Sequence, residues 1–269
     1  MAARAHGLAR EVVGIGRDRD RLEAAVRLGA IDRYEVSDNL PGTSACAEAD
    51  LIVLCTPVPN IVADLPGVLA AAKPGSVITD VGSVKSVIVD ASGGDPRFVG
   101  SHPMAGSEHA GIYAATAELF RDATWALTPT DYTDPAALAA VRTLARGVGA
   151  RARSLTPTLH DDAVALTSHL PHLIAYALMA QAGERAEDNP DLPFMAAGSF
   201  AGATRVAGSS PALWQGITLA NREALSAALS AYRERLDEMQ AALDGGDEKA
   251  LGALLDQGHR ARRRWLGSA

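Results

Sequence analysis

The feature that most constrains this chain is a change of hydrophobic period near residue 156. Before it, short apolar runs rich in β-branched residues alternate with alanine-rich helical stretches; the runs are Glu11 to Ile15, Leu51 to Cys55, Ser76 to Asp80, Phe98 to Ser101 and Trp125 to Thr128. Apolar strands that alternate with helices predict a parallel sheet covered on both faces. Asp134 reads as the N-cap and Pro135 as the first residue of a helix to about Gly149, and Arg151 to Leu155 as a last strand. From Thr158 onward strand signals vanish, and helices broken at Gly183 to Pro193, at Gly208 to Pro211 and at Gly245-Gly246 make up the rest. The expectation is an α/β, doubly wound (Rossmann-like) domain over residues 1–156, followed by an all-α domain over 157–269.

A long helix is expected from about Pro211 to Leu243. Along it Leu225, Leu229, Tyr232, Leu236, Met239 and Leu243 recur at alternating four- and three-residue steps, a heptad seam. The seam packs either inside the monomer or across a two-fold axis; the length of the helix favours the second, so the helical domain is expected to form a homodimer.

The 269 residues, 48% of them hydrophobic, suffice to bury a full core. A formal charge of -7 excludes a nucleic-acid partner, which needs a concentrated basic surface. The basic run from Arg260 to Arg264 closes a helical stretch, where cations complement the helix dipole. Cys46 and Cys55 have neither metal-ligand nor disulfide spacing, which fits a reducing cytoplasm. The apolar stretch from Leu51 to Ala72 is broken by three prolines and Asp64, and no membrane span is expected.

A dinucleotide fold opens with a strand, a Gly-x-Gly-x-x-Gly turn and a helix whose N-terminus receives the pyrophosphate. Here Met1 to Gly7 reads instead as the last turns of a helix ending at a C-cap glycine. The α/β domain is therefore expected to be N-terminally truncated, by roughly 15 to 25 residues. The strand from Glu11 ends in Gly16-Arg17, where an NAD-binding protein carries an acidic side chain for the ribose. Arg17 or Arg19 could instead pair with a 2′-phosphate, which leans the cofactor toward NADP over NAD.

Three constellations carry chemistry. Asp80-Val-Gly-Ser-Val-Lys85 follows a buried strand at its carboxyl end, where open α/β sheets bind ligands. Gly100-Ser-His-Pro-Met-Ala-Gly-Ser-Glu108 also ends a strand, and its His102 has an imidazole suited to proton abstraction near neutral pH. In Ser168-His-Leu-Pro-His172, His169 and His172 share a helix face. With no third ligand at suitable spacing, these histidines form a polar pocket wall rather than a metal site.

These motifs, with Thr204-Arg-Val-Ala, Pro211-Ala-Leu-Trp214 and Leu219-Ala-Asn-Arg-Glu223 behind them, resemble in order and spacing the prephenate and arogenate dehydrogenases, over essentially the whole chain. The resemblance implies oxidative decarboxylation of prephenate or arogenate, with hydride transfer to NAD(P), on the route to tyrosine. His102 would accept the ring-hydroxyl proton and Ser83 would orient it. Arg205 would hold a substrate carboxylate in a bidentate grip. Ser168, His169, His172, Glu108 and Trp214 match pocket positions. Arg17, Thr56, Pro57, Asp80, Gly82 and Lys85 are the candidate cofactor-binding residues.

The chain departs from the family pattern at the glycine-rich turn, at Gly16, and at Gly202-Ala203, where members often place an aspartate before Thr204. Two rival readings are a β-hydroxyacid or imine-type dehydrogenase and a non-catalytic truncated dimer that binds no dinucleotide. The first commonly uses a lysine on the helical domain, and this chain's lysines, Lys73, Lys85 and Lys249, lie outside the pocket-forming helices.

Overall fold

The computed structural model describes residues 1–106 and 111–266. Seven strands are present among them: β1 Val13–Gly16, β2 Arg33–Val36, β3 Leu51–Leu54, β4 Val77–Asp80, β5 Phe98–Pro103, β6 Thr124–Thr128 and β7 Arg151–Ser154. In the strand-bearing half the helices are α1 Ala2–Ala5, α2 Arg19–Arg27, α3 Ser44–Glu48, α4 Val58–Ala71, α5 Ser86–Ala91 and α6 Pro135–Gly147. The remaining helices are α7 Pro157–Val164, α8 Leu170–Asp188, α9 Gly198–Thr204, α10 Pro211–Ala220, α11 Arg222–Asp244 and α12 Glu248–Leu266.

The strands pair in two groups, β1 with β2, and β3-β4-β5-β6-β7 in that order. All pairs are parallel except β5 with β6, which is antiparallel with Gly100 opposite Thr128. This one pair departs from the expected parallel sheet: β6 runs back alongside β5, and β7 is parallel to β6. Gly100 permits the close approach: a Cβ on it would lie 2.5 Å from Thr128 Oγ1 and 2.9 Å from Val89 Cγ2. The strand β2 escapes a period-based reading because Arg33-Tyr-Glu-Val36 has no apolar run.

Apolar packing covers both faces of the five-stranded sheet. On one face Leu54, Ile78 and Phe98 pack with Ile61, Leu65 and Val68 of α4 and with Ile217 of α10. On the other, Val99, Trp125 and Leu127 pack with Val141 and Ala145 of α6. The α6 stripe follows from residues at three- and four-step spacing, with Asp134 capping as expected by accepting the Ala136 N–H at 2.8 Å.

A run of helix from 157 to 188 is continuous, with a π-helical turn at Ala165–His169 between α7 and α8. Pro171 sits in the first turn of α8, and α8 ends at Asp188, inside the Gly183 to Pro193 stretch where a break was expected, with Gly183 itself still helical. This run is long and apolar enough, by length and composition alone, to cross a membrane. It also carries His160, Asp161 and His169, all buried and hydrogen-bonded to other elements. The expected helix from Pro211 to Leu243 is two helices, because α10 ends at the C-cap Asn221.

Residues 1–222 form one compact unit and residues 223–269 another. In the second, α11 and α12 are joined by a turn at Gly245-Gly246, where Gly246 takes φ 60° and Asp247 Oδ1 accepts the Ala250 N–H at 2.9 Å. On the seam of α11, Leu225 is buried and Leu229, Tyr232 and Met239 are half-buried, whereas Leu236 and Leu243 are 46% and 59% exposed.

Buried Ser101 ties three strands. Its hydroxyl donates to the Asp80 carbonyl at 2.6 Å and accepts from Trp125 Nε1 at 3.0 Å, and the Thr79 hydroxyl lies 3.0 Å away. The variant Ser101→Ala is expected to lose about 1–3 kcal/mol in chemical denaturation, because the indole N–H is left without an acceptor. A loss of only a few tenths would overturn this account of the strand junction.

Candidate active site

The carboxyl ends of β4 and β5 lie side by side, and the loops leaving them hold the first polar cluster. Asp80 closes β4 with one oxygen accepting the Ser101 N–H at 2.9 Å and the other accepting the Gly82 N–H at 2.8 Å. The Lys85 ammonium pairs with Asp80 and donates to the Ser101 carbonyl at 2.7 Å. Both side chains of this pair are fully buried. Burial pushes the ammonium below its usual pKa, against the pull of the Asp80 carboxylate. Gly82 is confined, since a Cβ there would meet Ile88 Cδ1 at 2.6 Å and Asp80 Oδ2 at 2.9 Å. Ser83 is half-buried on the same loop. Asp80 and Lys85 thus spend their polar atoms on each other, on the Gly82 N–H and on β5.

His102, half-buried at the end of β5, meets the second half of the chain. Its Nδ1 lies 2.9 Å from His160 Nε2, and His160 Nδ1 lies 2.8 Å from Asp161 Oδ1. Asp161 accepts the Lys85 N–H at 2.7 Å and the Ser86 N–H at 2.8 Å. Burial, then the Lys85 ammonium and the two neighbouring histidines His160 and His169, holds the His102 imidazole well below its ordinary pKa, with Asp161 opposing. His102 is therefore neutral at neutral pH and able to accept a proton. Burial also raises the Asp161 carboxyl, but its bonds from His160, Ser86 and Lys85 outweigh that and keep it ionised.

The third cluster lies on the π turn and the helices around it. The Asn221 amide nitrogen donates to the Asp161 carbonyl at 2.9 Å and reaches His169 Nδ1 at 3.1 Å. Trp214 stacks on His172 with ring centres 3.4 Å apart and presents an edge-on contact to His169 at 5.9 Å. His172 Nδ1 bonds the carbonyl of half-buried Ser168 at 2.9 Å. Burial lowers the His172 pKa, against the bond to the Ser168 carbonyl and with a smaller push from the charge of Arg205, which is exposed on the turn after α9.

The structure thus joins His102, His169, His172 and Trp214 through His160, Asp161 and Asn221, three residues to which the sequence reading assigned no role. The adjacent His160-Asp161 pair, four residues into a helix opened by Pro157, was the available signal. Among the other candidates, Thr56 and Pro57 are exposed where α4 begins, and Arg17 is exposed just past β1. Glu108 lies outside the described residues. Among the described residues no group of three or more His, Cys, Asp or Glu could hold a metal ion.

Burial drops the His169 pKa from 6.5 to about 4. Between these values the unfolded chain binds the proton and the folded one does not, so stability rises with pH across that window and falls as pH drops from 6.5 toward 4. Thermal unfolding followed across this range should show that slope, and His169→Asn should flatten it. An unchanged slope in the variant would remove His169 as its source.

Residues 1–154 match the family model described as prephenate dehydrogenase, nucleotide-binding domain, and residues 156–257 the one described as prephenate dehydrogenase, dimerization domain. The cyclohexadienyl dehydrogenase of Zymomonas mobilis is 38% identical over 251 residues, covering 91% of this chain and 82% of the relative. The prephenate dehydrogenase of Bacillus subtilis is 32% identical over 247 residues, covering 90% of this chain and 66% of the relative, just under two thirds of its length. The prephenate dehydrogenase of A. aeolicus, solved with hydroxyphenyl propionate and NAD+, superposes with a TM-score of 0.89 at 28% identity, covering 98% of this chain and 92% of that one.

Proposed function

Because the chain belongs to the prephenate dehydrogenase family, we propose that it oxidatively decarboxylates prephenate or arogenate, to 4-hydroxyphenylpyruvate or tyrosine, with its own residues in the roles that follow. The observation that carries this reading is a neutral, desolvated His102 at the carboxyl end of β5, joined through His160 and Asp161 to Asn221 at the end of α10, the helix that carries Trp214. His102 accepts the proton of the ring hydroxyl as hydride leaves the same carbon. The ring carboxylate departs as carbon dioxide, and the electrons of its broken bond complete the aromatic ring. Ser83 hydrogen-bonds near that hydroxyl. The exposed guanidinium of Arg205 holds a substrate carboxylate, and His172, stacked on Trp214, together with Ser168 and His169 forms the polar and aromatic wall of the pocket.

A nicotinamide dinucleotide, when bound, supplies the hydride acceptor. The residues present fit its ribose and nicotinamide portions: Thr56 and Pro57 are exposed at the end of β3, and α4 behind them opens with no side-chain cap. Gly82 closes the β4 turn on the same side, and Asp80 and Lys85 hold that turn from within. At the end of β1 the nearest carboxylate, Asp18, is committed to capping α2: it accepts the Arg21 N–H at 3.1 Å and pairs with the Arg21 guanidinium at 3.0 Å. That leaves exposed Arg17 to meet a 2′-phosphate, which supports NADP over NAD. The separation of β1-β2 from the other strands favours a second reading, in which the folded chain binds no dinucleotide.

The half-covered α11 seam, in a chain whose second part matches a dimerization domain, supports a homodimer of these subunits. We propose the domain boundary between residues 156 and 157, after the last strand and where the helical run begins. Two free cysteines support a reducing, cytoplasmic setting.

Reduced-nicotinamide absorbance with prephenate or arogenate and either cofactor tests the reaction. The variant His102→Asn should lose several orders of magnitude in kcat with little change in substrate binding; undiminished turnover would remove it as the base. Arg17→Glu should raise KM for NADP about tenfold and leave KM for NAD nearly unchanged. Equal shifts for both cofactors would refute the 2′-phosphate role. A folded protein that shows neither turnover nor nicotinamide binding would support the second reading.

A further inference from the structure

We infer that Asp161 sets the tautomers of both active-site histidines, acting on His102 through His160 and on His169 through Asn221, so that one presents a lone pair and the other an N–H. The inference deepens the reading of His102 as the proton acceptor and rests on it only for its kinetic consequence.

Each step follows from what an atom is able to do. Asp161 receives two backbone N–H groups, from Lys85 at 2.7 Å and Ser86 at 2.8 Å, so its buried, ionised carboxylate is an acceptor toward every neighbour. The His160 nitrogen 2.8 Å from Oδ1 must then be the donor. A neutral imidazole with Nδ1 protonated has only a lone pair at Nε2, and that atom lies 2.9 Å from His102 Nδ1. His102 Nδ1 therefore carries the hydrogen, and its Nε2 is left as the basic site. When Nε2 takes a proton, the imidazolium keeps its bond to His160, whose other end rests on a carboxylate.

The second branch uses the backbone of the same residue. The Asp161 carbonyl is an acceptor, so the Asn221 atom 2.9 Å from it is the amide nitrogen. That nitrogen also reaches His169 Nδ1 at 3.1 Å, which must accept, so the His169 hydrogen resides on Nε2. Among the described residues, the charged and titratable groups acting on His102 are Lys85, His160, His169 and Asp161. Of these only Asp161 favours the imidazolium. His160 and Asp161 are thus positioning residues, and neither needs to touch the substrate.

Nitrogen-15 NMR of the intact protein at neutral pH reads the tautomers without any turnover. The expected pattern is a protonated Nδ1 and bare Nε2 on His102, and the reverse on His169. A protonated Nε2 on His102 overturns the inference whether or not the enzyme is active. Kinetics supply the second arm. His160→Gln keeps an acceptor for His102 in its amide oxygen and should retain far more kcat than His160→Phe, which should lose about a hundredfold with KM nearly unchanged. In the phenylalanine variant the acidic limb of the kcat profile should also move, because the His102 imidazolium has lost its partner. Equal losses in the two variants, or a loss confined to KM, would overturn the positioning role. Should His102→Asn stay active while the NMR pattern holds, the base assignment fails and the tautomer assignment survives.

Discussion

A single carboxylate fastens the two sequence halves of the first compact unit together at the site. Asp161 stands on α7, and the two N–H groups it accepts belong to Lys85 and Ser86, where α5 begins. Those amides are among the groups a helix start leaves without partners, and buried amides need acceptors. Because the bond is made by the backbone of one half and a side chain of the other, it fixes the height and rotation of α7 on the sheet. His160 is then aimed at His102 by being the neighbour of Asp161, and Asn221 is held by the carbonyl of the same residue.

The surrounding polar groups are organised by how little water reaches them. Asp80 and Lys85 are sealed beneath the β4 turn, and each is tolerable there because the other is present. Exchanging one of the pair for an apolar residue would leave an uncompensated charge next to β5. The histidines respond to the same dryness in the opposite way, by shedding their charge: His102 and His169 are held neutral chiefly by burial. Each stands at the end of a hydrogen-bond relay from Asp161, His102 through His160 from the carboxylate and His169 through Asn221 from the backbone carbonyl.

Much of this was legible in the chain. The apolar runs ending at Asp80 and Ser101 marked two adjacent strands, and the catalytic candidates were the polar residues directly after them. The capped helix at Asp134-Pro135, the glycine turn near residue 245 and the two-part organisation also followed from local rules. Three particulars did not. β2 is a strand because it pairs with β1, and its own residues show no apolar period. Asn221 ends α10 inside the stretch expected as one helix from Pro211 to Leu243, with no glycine or proline beside it to mark the break. His160 and Asp161 looked like ordinary residues in the first turns of a helix, since their partners lie 58 to 76 positions away.

The sequence by itself therefore determined the elements, the class of sheet and which loops hold reactive side chains, because hydrophobic period, caps and turn residues act over a few positions. It also supported a resemblance carried by the order of several motifs. Only the tertiary structure decided that β6 turns antiparallel to β5, that Asp80 and Lys85 face one another rather than solvent, and that His102, His160, Asp161, Asn221 and His169 form one connected chain of hydrogen bonds. Those outcomes rest on donors and acceptors that meet only after the core has closed, and no local rule reports which distant partner a buried polar atom will find.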